Sequence, residues 1–284
     1  MLPGVYQATK KDGTTYYRAG ITFRCKHISL GSFPLEQEAG EAYCDAQHIL
    51  NDGVTLEQAI TRYHKKSYRL SFDKCVSLIN FRDNNLYIAN PIYMRKNFFS
   101  YYLSLDEELK FDIDDLFYYA RHKIMRRQGH LFVNDYGMQV TILSRYGIRS
   151  YAVCKRDYDF ANNDPLDLRY SNIKVYNRFF GVQVYEKNGA KRYRVKIHLN
   201  GNYTVGTYRS EEKAAVAYNK AVDLAKKAGY ARNFPENYVD TLSASEYAAL
   251  YTRIKISQKY MDYLAKEVTP MRQTSVQQEI PQNV

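Results

Sequence analysis

Cysteine is scarce in the 284-residue sequence, and its four copies stand far apart. None of them forms a CxxC pair, so the sequence favours neither a zinc finger nor a disulfide framework. Isolated thiols are typical of a reducing compartment. We therefore expect a cytoplasmic protein, associated with the nucleoid in a bacterium or located in the nucleus of a eukaryote. The four residues are Cys25, Cys44, Cys75 and Cys154.

Long apolar runs and several familiar catalytic motifs are also missing. No run approaches the ~20 apolar residues that a membrane span requires. The opening Met1-Leu-Pro-Gly4 lacks the character of a signal peptide. The chain has no glycine-rich phosphate loop, no GxSxG sequence and no histidine pair four residues apart. We therefore predict no membrane partner and no enzyme of those classes.

Positive charge is in excess, with a net charge of +11 for the whole chain. Residues 181–235 contain 11 Lys and Arg against 4 Asp and Glu, so they carry most of that excess. A basic surface attracts polyanions such as nucleic acids, but it is also an ordinary solvated surface in many proteins. The spacing of the basic residues distinguishes the two interpretations.

Apolar and basic side chains alternate strictly along the middle of this segment. A period of two predicts a β-strand with one buried face and one solvated face. Asn188-Gly189 and Asn200-Gly201 predict hairpin turns on either side. Small residues that follow at helical spacing predict a helix packed closely on the apolar face. The basic positions are Arg192, Arg194, Lys196 and His198, the apolar positions are Tyr193, Val195, Ile197 and Leu199, and the helical stripe is Ala214, Ala217, Tyr218, Ala221 and Ala225.

Short motifs run through the whole segment, namely Gly181-Val182, Val205-Gly-Thr-Tyr208, Ser210–Tyr218 and Asn233-Phe-Pro235. Together they resemble the AP2/ERF DNA-binding domain, with Tyr193 standing where that family usually has tryptophan. The resemblance implies a three-stranded antiparallel sheet that lies in the DNA major groove and a helix that supports it from behind. The predicted DNA-contacting residues here are Gln183, Tyr185, Lys191, Arg192, Arg194, Lys196, His198 and Thr204.

Residues 4–50 repeat this pattern, with Gly4-Val5 matching Gly181-Val182. From Gly31 onward the offset between the copies is constant, so the stripe Ala39, Ala42, Tyr43, Ala46 and Leu50 matches the one above. We interpret the two segments as copies of one module. The first copy has 5 Lys and Arg and 5 Asp and Glu, which leaves it either a second DNA contact or a structural module. Its predicted DNA-contacting residues are Arg18, Thr22, Arg24 and Lys26.

The run from Asn163 to Ile173, NDPLDLRYSNI, lies just before the second module. It resembles the C-terminal half of HNH nucleases, in particular homing-type proteins that join an HNH core to an AP2 module. The resemblance implies a histidine that activates water and side chains that hold a divalent metal. Phe160 stands where the histidine is expected, Leu168 replaces an asparagine, and residues 144–146 lack an upstream histidine. We therefore predict no catalytic residue, no metal site and no cofactor.

Three functions are consistent with these sequence patterns. The first is a sequence-specific duplex-DNA-binding protein, a transcription regulator without an enzymatic step. The second is a metal-dependent HNH homing-type endonuclease targeted by its AP2 module, with Asp159, Asp164, Asp167 and Asn172 left to hold a metal. The third is a non-catalytic module that binds RNA or a protein. The sequence favours the first, because Phe160 stands at the position of the general base in the HNH pattern and has no titratable nitrogen.

The predicted fold is α+β, with two AP2-like units, each a three-stranded antiparallel sheet packed on one helix, flanking a mixed α/β HNH-like middle region. The predicted segments are an N-terminal AP2-like module at 1–52, the middle region at 53–178, the C-terminal AP2-like module at 179–236, a helical extension at 237–268 and a disordered tail at 269–284. Local patterns further predict helices at 56–70, 106–128, 243–250 and 254–266, a strand that starts at His130 and a hairpin around 86–92.

Overall fold

A computed structural model describes residues 1–66, 68–150 and 152–266. The fold is mixed α+β, with small antiparallel sheets and short helices, so the predicted class is confirmed. The chain divides into two compact units. Of the described residues, those in 1–146 and 160–174 belong to unit 1, and those in 147–159 and 175–266 belong to unit 2. No helix in the described part of the chain has the length and apolar character that a membrane span needs.

Unit 1 begins with a three-stranded antiparallel sheet in the order β1-β2-β3 and one helix, α1. Ala39, Ala42 and Ala46 of α1 are fully buried, and the same core continues through the next two helices. Two further three-stranded antiparallel sheets follow. The elements are β1 Val5–Thr9, β2 Thr15–Phe23, β3 Lys26–Phe33, α1 Glu36–Asn51, α2 Leu56–His64, α3 Phe72–Asn84, β4 Ile92–Met94, β5 Phe98–Tyr102, β6 Glu108–Asp112, α4 Leu116–Arg121, β7 Met125–Arg127, β8 His130–Asp135 and β9 Met138–Thr141.

Two short strands then pair with each other, β10 Tyr158–Phe160 and β11 Ile173–Val175. Unit 2 contains the second sheet-and-helix module, in which α5 packs on the strands and Ser210 caps the helix by accepting from the Lys213 N–H. The Tyr260 hydroxyl donates to the Ala221 carbonyl at 2.8 Å and ties the last helical segment to α5. The elements are β12 Val182–Lys187, β13 Ala190–His198, β14 Asn202–Tyr208, α5 Glu211–Lys227, α6 Ala244–Arg253 and a helix at 258–266.

The two modules share details that strand order alone does not require. Each middle strand pairs with its third strand through a register shift at the equivalent place, between Ala19 and Gly20 in one and between Val195 and Lys196 in the other. Each first strand follows a glycine at positive φ, +68° and +67°, that faces a tyrosine ring of the helix. The segments aligned by sequence therefore have the same local geometry.

The middle region differs from several sequence predictions. Residues 72–84 form α3, and the hairpin lies at β4 and β5 instead of around 86–92. Seven consecutive residues of α3, 75–81, are buried, so the helix lacks the amphipathic period by which helices are detected. The long helix predicted at 106–128 is also wrong, because β6 pairs with β5 and the helical part is confined to a 3-10 turn at 113–115 and α4. The strand that starts at His130 is confirmed as β8.

The C-terminal extension agrees more closely. The helix predicted at 243–250 is α6, and Ser243 and Glu246 form its capping box. The next helix begins at residue 258 and not at 254. Residues 254–257 are extended, and the Ser257 N–H donates to the Val205 carbonyl at 2.7 Å, which holds that segment along β14. The tail predicted to be disordered, 269–284, lies outside the described residues.

Substituting Gly181 should test the packing of the second module. In Gly181→Ala, the added Cβ would lie 2.4 Å from the Lys196 carbonyl oxygen and 2.4 Å from the Tyr218 ring, at a φ of +67°. Positive-φ strain and overpacking together should lower the free energy of unfolding by about 3 kcal/mol or more. Hydrogen exchange of β13 amides measures this loss in unit 2 alone.

Gly189→Ala is the matched control, because Gly189 has a similar φ of +69° but no atom within 4 Å of an added Cβ. It should cost only the backbone strain, about 1 kcal/mol. Equal losses for the two variants would contradict the close approach of Tyr218 to Gly181.

Candidate nucleic-acid interface

The sheet of the C-terminal module has one face against α5 and one face directed away from it. Val182, Val195, Ile197 and Val205 are buried on the helix side. The strand register places the alternate residues in cross-strand rows on the opposite side, which we call the outer face. The rows of the outer face are Lys187–Ala190, Tyr185–Arg192, Gln183–Arg194–Thr207, Lys196–Thr204 and His198–Asn202.

The outer face carries hydrogen-bond donors and cations but no carboxylate. The Arg194 guanidinium lies over the Tyr185 ring, 4.6 Å from its centroid. A hydrogen bond with Thr207, and then a hydrogen bond with Arg194 and its charge, lower the pKa of the Tyr185 hydroxyl from its ordinary value. Within the described residues, none of the outer-face cations forms an ion pair with an acid, and these are Lys187, Arg192, Arg194 and Lys196. Their charges are therefore available to a ligand.

Thr207 belongs to this face although the sequence pattern did not indicate it. Strict alternation from Thr204 would turn Thr207 toward the helix. The register shift leaves Val205 as an extra buried residue, and Thr207 then lies opposite Arg194. The position of such a bulge cannot be predicted from the spacing of apolar residues in the sequence.

Seven of the eight C-terminal residues predicted to contact DNA lie together on the outer face. Lys191 is the exception, since it pairs with Glu186 at the tip of the β12–β13 hairpin and follows the opposite side of the alternation. It remains exposed there. Lys191 is therefore placed at the rim of the face and not in its rows.

The N-terminal module gathers fewer of its predicted residues. Arg18 and Thr22 lie on the face away from α1, where the Arg18 Nε donates to the Tyr16 hydroxyl at 3.1 Å. Arg24 and Lys26 do not join them. Arg24 donates to the Phe81 carbonyl at 3.0 Å, and the Lys26 ammonium lies over the Tyr87 ring. Arg24 therefore contacts the C-terminal end of α3, and its predicted contact with DNA stays a prediction.

The carboxylates in and just before the HNH-like run bond to neighbouring groups of the protein. Asp167 is 1% exposed, receives both the Nε and Nη2 donors of Arg169, and accepts from the Asn162 amide at 2.9 Å. Asp164 accepts from the Leu166 N–H at 3.0 Å, as in an ordinary Asx turn. Asp159 pairs with Lys155 at 2.7 Å.

Two positions where the HNH pattern would place polar groups are buried apolar residues. Phe160 is 8% exposed and Leu168 is 2% exposed. In the described parts of both units, no three His, Cys, Asp or Glu side chains lie close enough together to hold a metal ion.

Comparison with known proteins leaves the chain without a relative to guide its assignment: no family model, curated protein or solved structure matches it. Function must therefore be inferred from the chemistry of the two modules and of the HNH-like run.

The Asp167 carboxylate should stabilise unit 1 in a pH-dependent way. Its hydrogen bonds with Arg169 hold the pKa of this buried group below its ordinary value of 3.8. The stabilisation is therefore complete well above pH 3.8 and is lost as the pH falls through the lowered folded-state pKa. Asp167→Asn should cost about 2 kcal/mol near pH 7, because charged hydrogen bonds are lost. The difference should shrink in urea unfolding measured at about pH 3.

Asp164→Asn is the control, since an asparagine still supplies the side-chain oxygen that accepts from Leu166. The ion pair of Asp164 with Lys110 is 3.9 Å long and partly exposed, so its loss should cost little. It should leave the unfolding free energy almost unchanged across the same range. A loss for Asp167→Asn that is independent of pH would mean that the carboxylate charge contributes nothing to stability.

Proposed function

We propose that this protein binds double-stranded DNA in a sequence-specific way, through the outer face of the C-terminal module. The observation that supports the proposal is the grouping of Gln183, Tyr185, Arg192, Arg194, Lys196, His198 and Thr204 on one sheet face without a carboxylate among them. Such a surface matches both the negative charge of phosphates and the acceptor groups of bases. The resemblance of residues 181–235 to the AP2/ERF domain points the same way.

The dimensions of the sheet suit the major groove. Neighbouring strands lie about 4.8 Å apart, so the three strand axes span about 10 Å, and the major groove is about 12 Å wide. Sheets are known to enter this groove. In this arrangement Arg194 and Lys196 contact guanine O6 and N7, while Gln183 suits the N6 and N7 of adenine. Arg192, in the row next to the hairpin tip, and Lys191 at the rim lie nearer the phosphates.

The proposal assigns no enzymatic step to the HNH-like run. Its polar groups hold one another, as in the pairing of Asp167 with Arg169, and Phe160 and Leu168 contribute to packing. Upstream, Arg145 donates to the buried Asp115. A regulator of transcription requires binding without cutting, and these contacts fit that role.

The N-terminal module contributes a second, weaker contact in this proposal, centred on Arg18. Its core is continuous with α2 and α3, so deleting the module would remove packing from the rest of unit 1. Point substitution is the cleaner test. Arg18→Ala should weaken binding to a long duplex about threefold to tenfold, since one phosphate contact is lost, and leave binding to a duplex that covers only the main site unchanged. Fluorescence anisotropy with duplexes of both lengths measures this.

Arg18→Lys keeps the charge and should bind the long duplex almost as wild type does. Equal affinity of wild type and Arg18→Ala for the long duplex would remove the N-terminal module from the DNA contact and leave it a structural role.

The Arg194→Ala variant should lose preference at one base pair of the bound sequence. A bidentate arginine–guanine contact contributes about 1–3 kcal/mol of discrimination. We expect selection from random duplex DNA by the wild-type protein to yield a defined motif. The same selection with Arg194→Ala should yield that motif with one position relaxed.

Lys227→Ala is the control, because Lys227 is an exposed cation in the last turn of α5, on the helix behind the sheet. It should reproduce the wild-type motif. A uniform loss of affinity by Arg194→Ala across all sequences would make Arg194 a phosphate contact. Nicking of supercoiled plasmid with Mg²⁺ or Mn²⁺, abolished by Asp159→Ala, would instead support the nuclease, and tighter binding to RNA would support the third function.

A further inference from the structure

A cleft of about 540 Å³ opens beside the outer face, and all of its lining residues belong to unit 2. Four of its lining residues, Arg149, Ala152, Arg156 and Asp157, lie outside the sequence motifs. The rest come from the segment just before β12, the strands of the C-terminal sheet, Tyr218 of α5 and the loop after α5. Its basic and acidic lining residues are Arg149, Arg156, Asp157, Lys196, His198 and Arg232.

Arg149, in the lining of this cleft, has a buried side-chain donor that forms no hydrogen bond in the described structure. Its guanidinium lies over the Phe180 ring, 4.9 Å from the centroid. Its Nε is buried and has no hydrogen-bond partner within the described structure. A buried charged donor without an acceptor costs free energy, so such a group normally has a function or a missing partner. An acceptor that enters the cleft would satisfy it.

The acid in the cleft does not neutralise the other cations. Burial opposes ionisation of Asp157, but bonds from Arg156, the Val153 N–H and Asn177 together hold the pKa of its carboxyl below the ordinary value. Arg156 forms an ion pair with Asp157 at 2.5 Å, so the negative charge of Asp157 is already balanced. Arg149, Lys196 and Arg232 form no ion pair in the described part of the chain. The cleft therefore has an excess of about three positive charges at neutral pH.

The cleft is continuous with the proposed base-reading surface. Lys196 and His198 line the cleft and also stand in the rows of the outer face. Arg232 donates to the His198 carbonyl at 3.4 Å, which places its guanidinium at the same edge. A duplex that lies on the outer face would carry one of its backbone strands past the mouth of the cleft.

We infer that this cleft binds a phosphate group of the DNA backbone, with Arg149 and Arg232 as contacts that supplement Lys196. The inference rests on the proposed function. A phosphate offers several acceptor oxygens to the planar donors of guanidinium groups, which bind it in a bidentate way. The buried Nε of Arg149 requires such an acceptor. A free phosphate compound would satisfy the same chemistry, so the experiment has to separate the two sources.

The test is the salt dependence of binding by full-length Arg149→Gln to the duplex that the wild type selects. Loss of one phosphate contact should reduce the slope of log K against log salt by about 0.9. Affinity should fall about tenfold, and by the same factor for matched and mismatched duplexes. Arg253→Gln is the control, since Arg253 is exposed in the last turn of α6 and does not line the cleft.

Two further measurements keep the inference testable if Arg149→Gln folds poorly. Arg149→Lys retains the charge and should retain the wild-type salt slope with a smaller loss of affinity. The Arg149 Nε–H resonance in the wild-type protein should move when the selected duplex is added. Inorganic phosphate alone should move it only at millimolar concentrations, because a single phosphate lacks the other contacts of the duplex.

Different results overturn different statements. A wild-type protein that selects a motif, while Arg149→Gln keeps the wild-type slope and affinity, overturns the phosphate site and leaves the proposed function standing. A resonance that responds tightly to inorganic phosphate but not to the duplex assigns the cleft to a free phosphate compound and overturns the inference. A wild-type protein without sequence preference overturns the proposed function itself.

Discussion

The close packing of α5 on the sheet of the C-terminal module is the interaction on which the rest of the account depends. Ala214, Ala217, Ala221 and Ala225 are fully buried, and small side chains let the helix approach the strands. The ring of Tyr218 fills the space where a side chain of residue 181 would lie. Because the helix occupies one face of the sheet, the charged side chains of β13 other than Lys191 lie on the opposite face.

The same module occurs twice, and its two copies distribute their cations differently. The N-terminal copy uses Arg24 and Lys26 to hold neighbouring parts of unit 1, and its core continues into the following helices. The C-terminal copy leaves its outer-face cations unpaired within the described chain, with a further basic cleft at its edge. We therefore expect reading of bases to depend on the C-terminal copy, and the N-terminal copy to be mainly part of the scaffold of unit 1.

Sequence periodicity predicted both modules because each strand has one buried face and each helix a narrow stripe of small residues. It failed for α3, where burial on all sides removes the period, and for residues 106–128, where pairing with β5 overrides helical propensity. The place of Thr207 on the outer face was not predicted, because a bulge shifts the alternation by one residue. Arg149 was not predicted because it lies in an irregular segment, and only the tertiary structure brings it into the same cleft as Lys196. The turn in the HNH-like run could be predicted from the sequence, because Asp and Asn around a proline are typical turn residues.

The central claim is that duplex DNA lies on the outer face. Photocrosslinking with a selected duplex that carries iodouracil, followed by mass spectrometry, tests it most directly. Iodouracil reacts with nearby aromatic side chains, and Tyr185 is the aromatic residue in the rows of that face. The account predicts a crosslink at Tyr185 that free duplex without iodouracil competes away. Crosslinks confined to α5, α6 or residues 258–266, with Tyr185 unmodified, would contradict it.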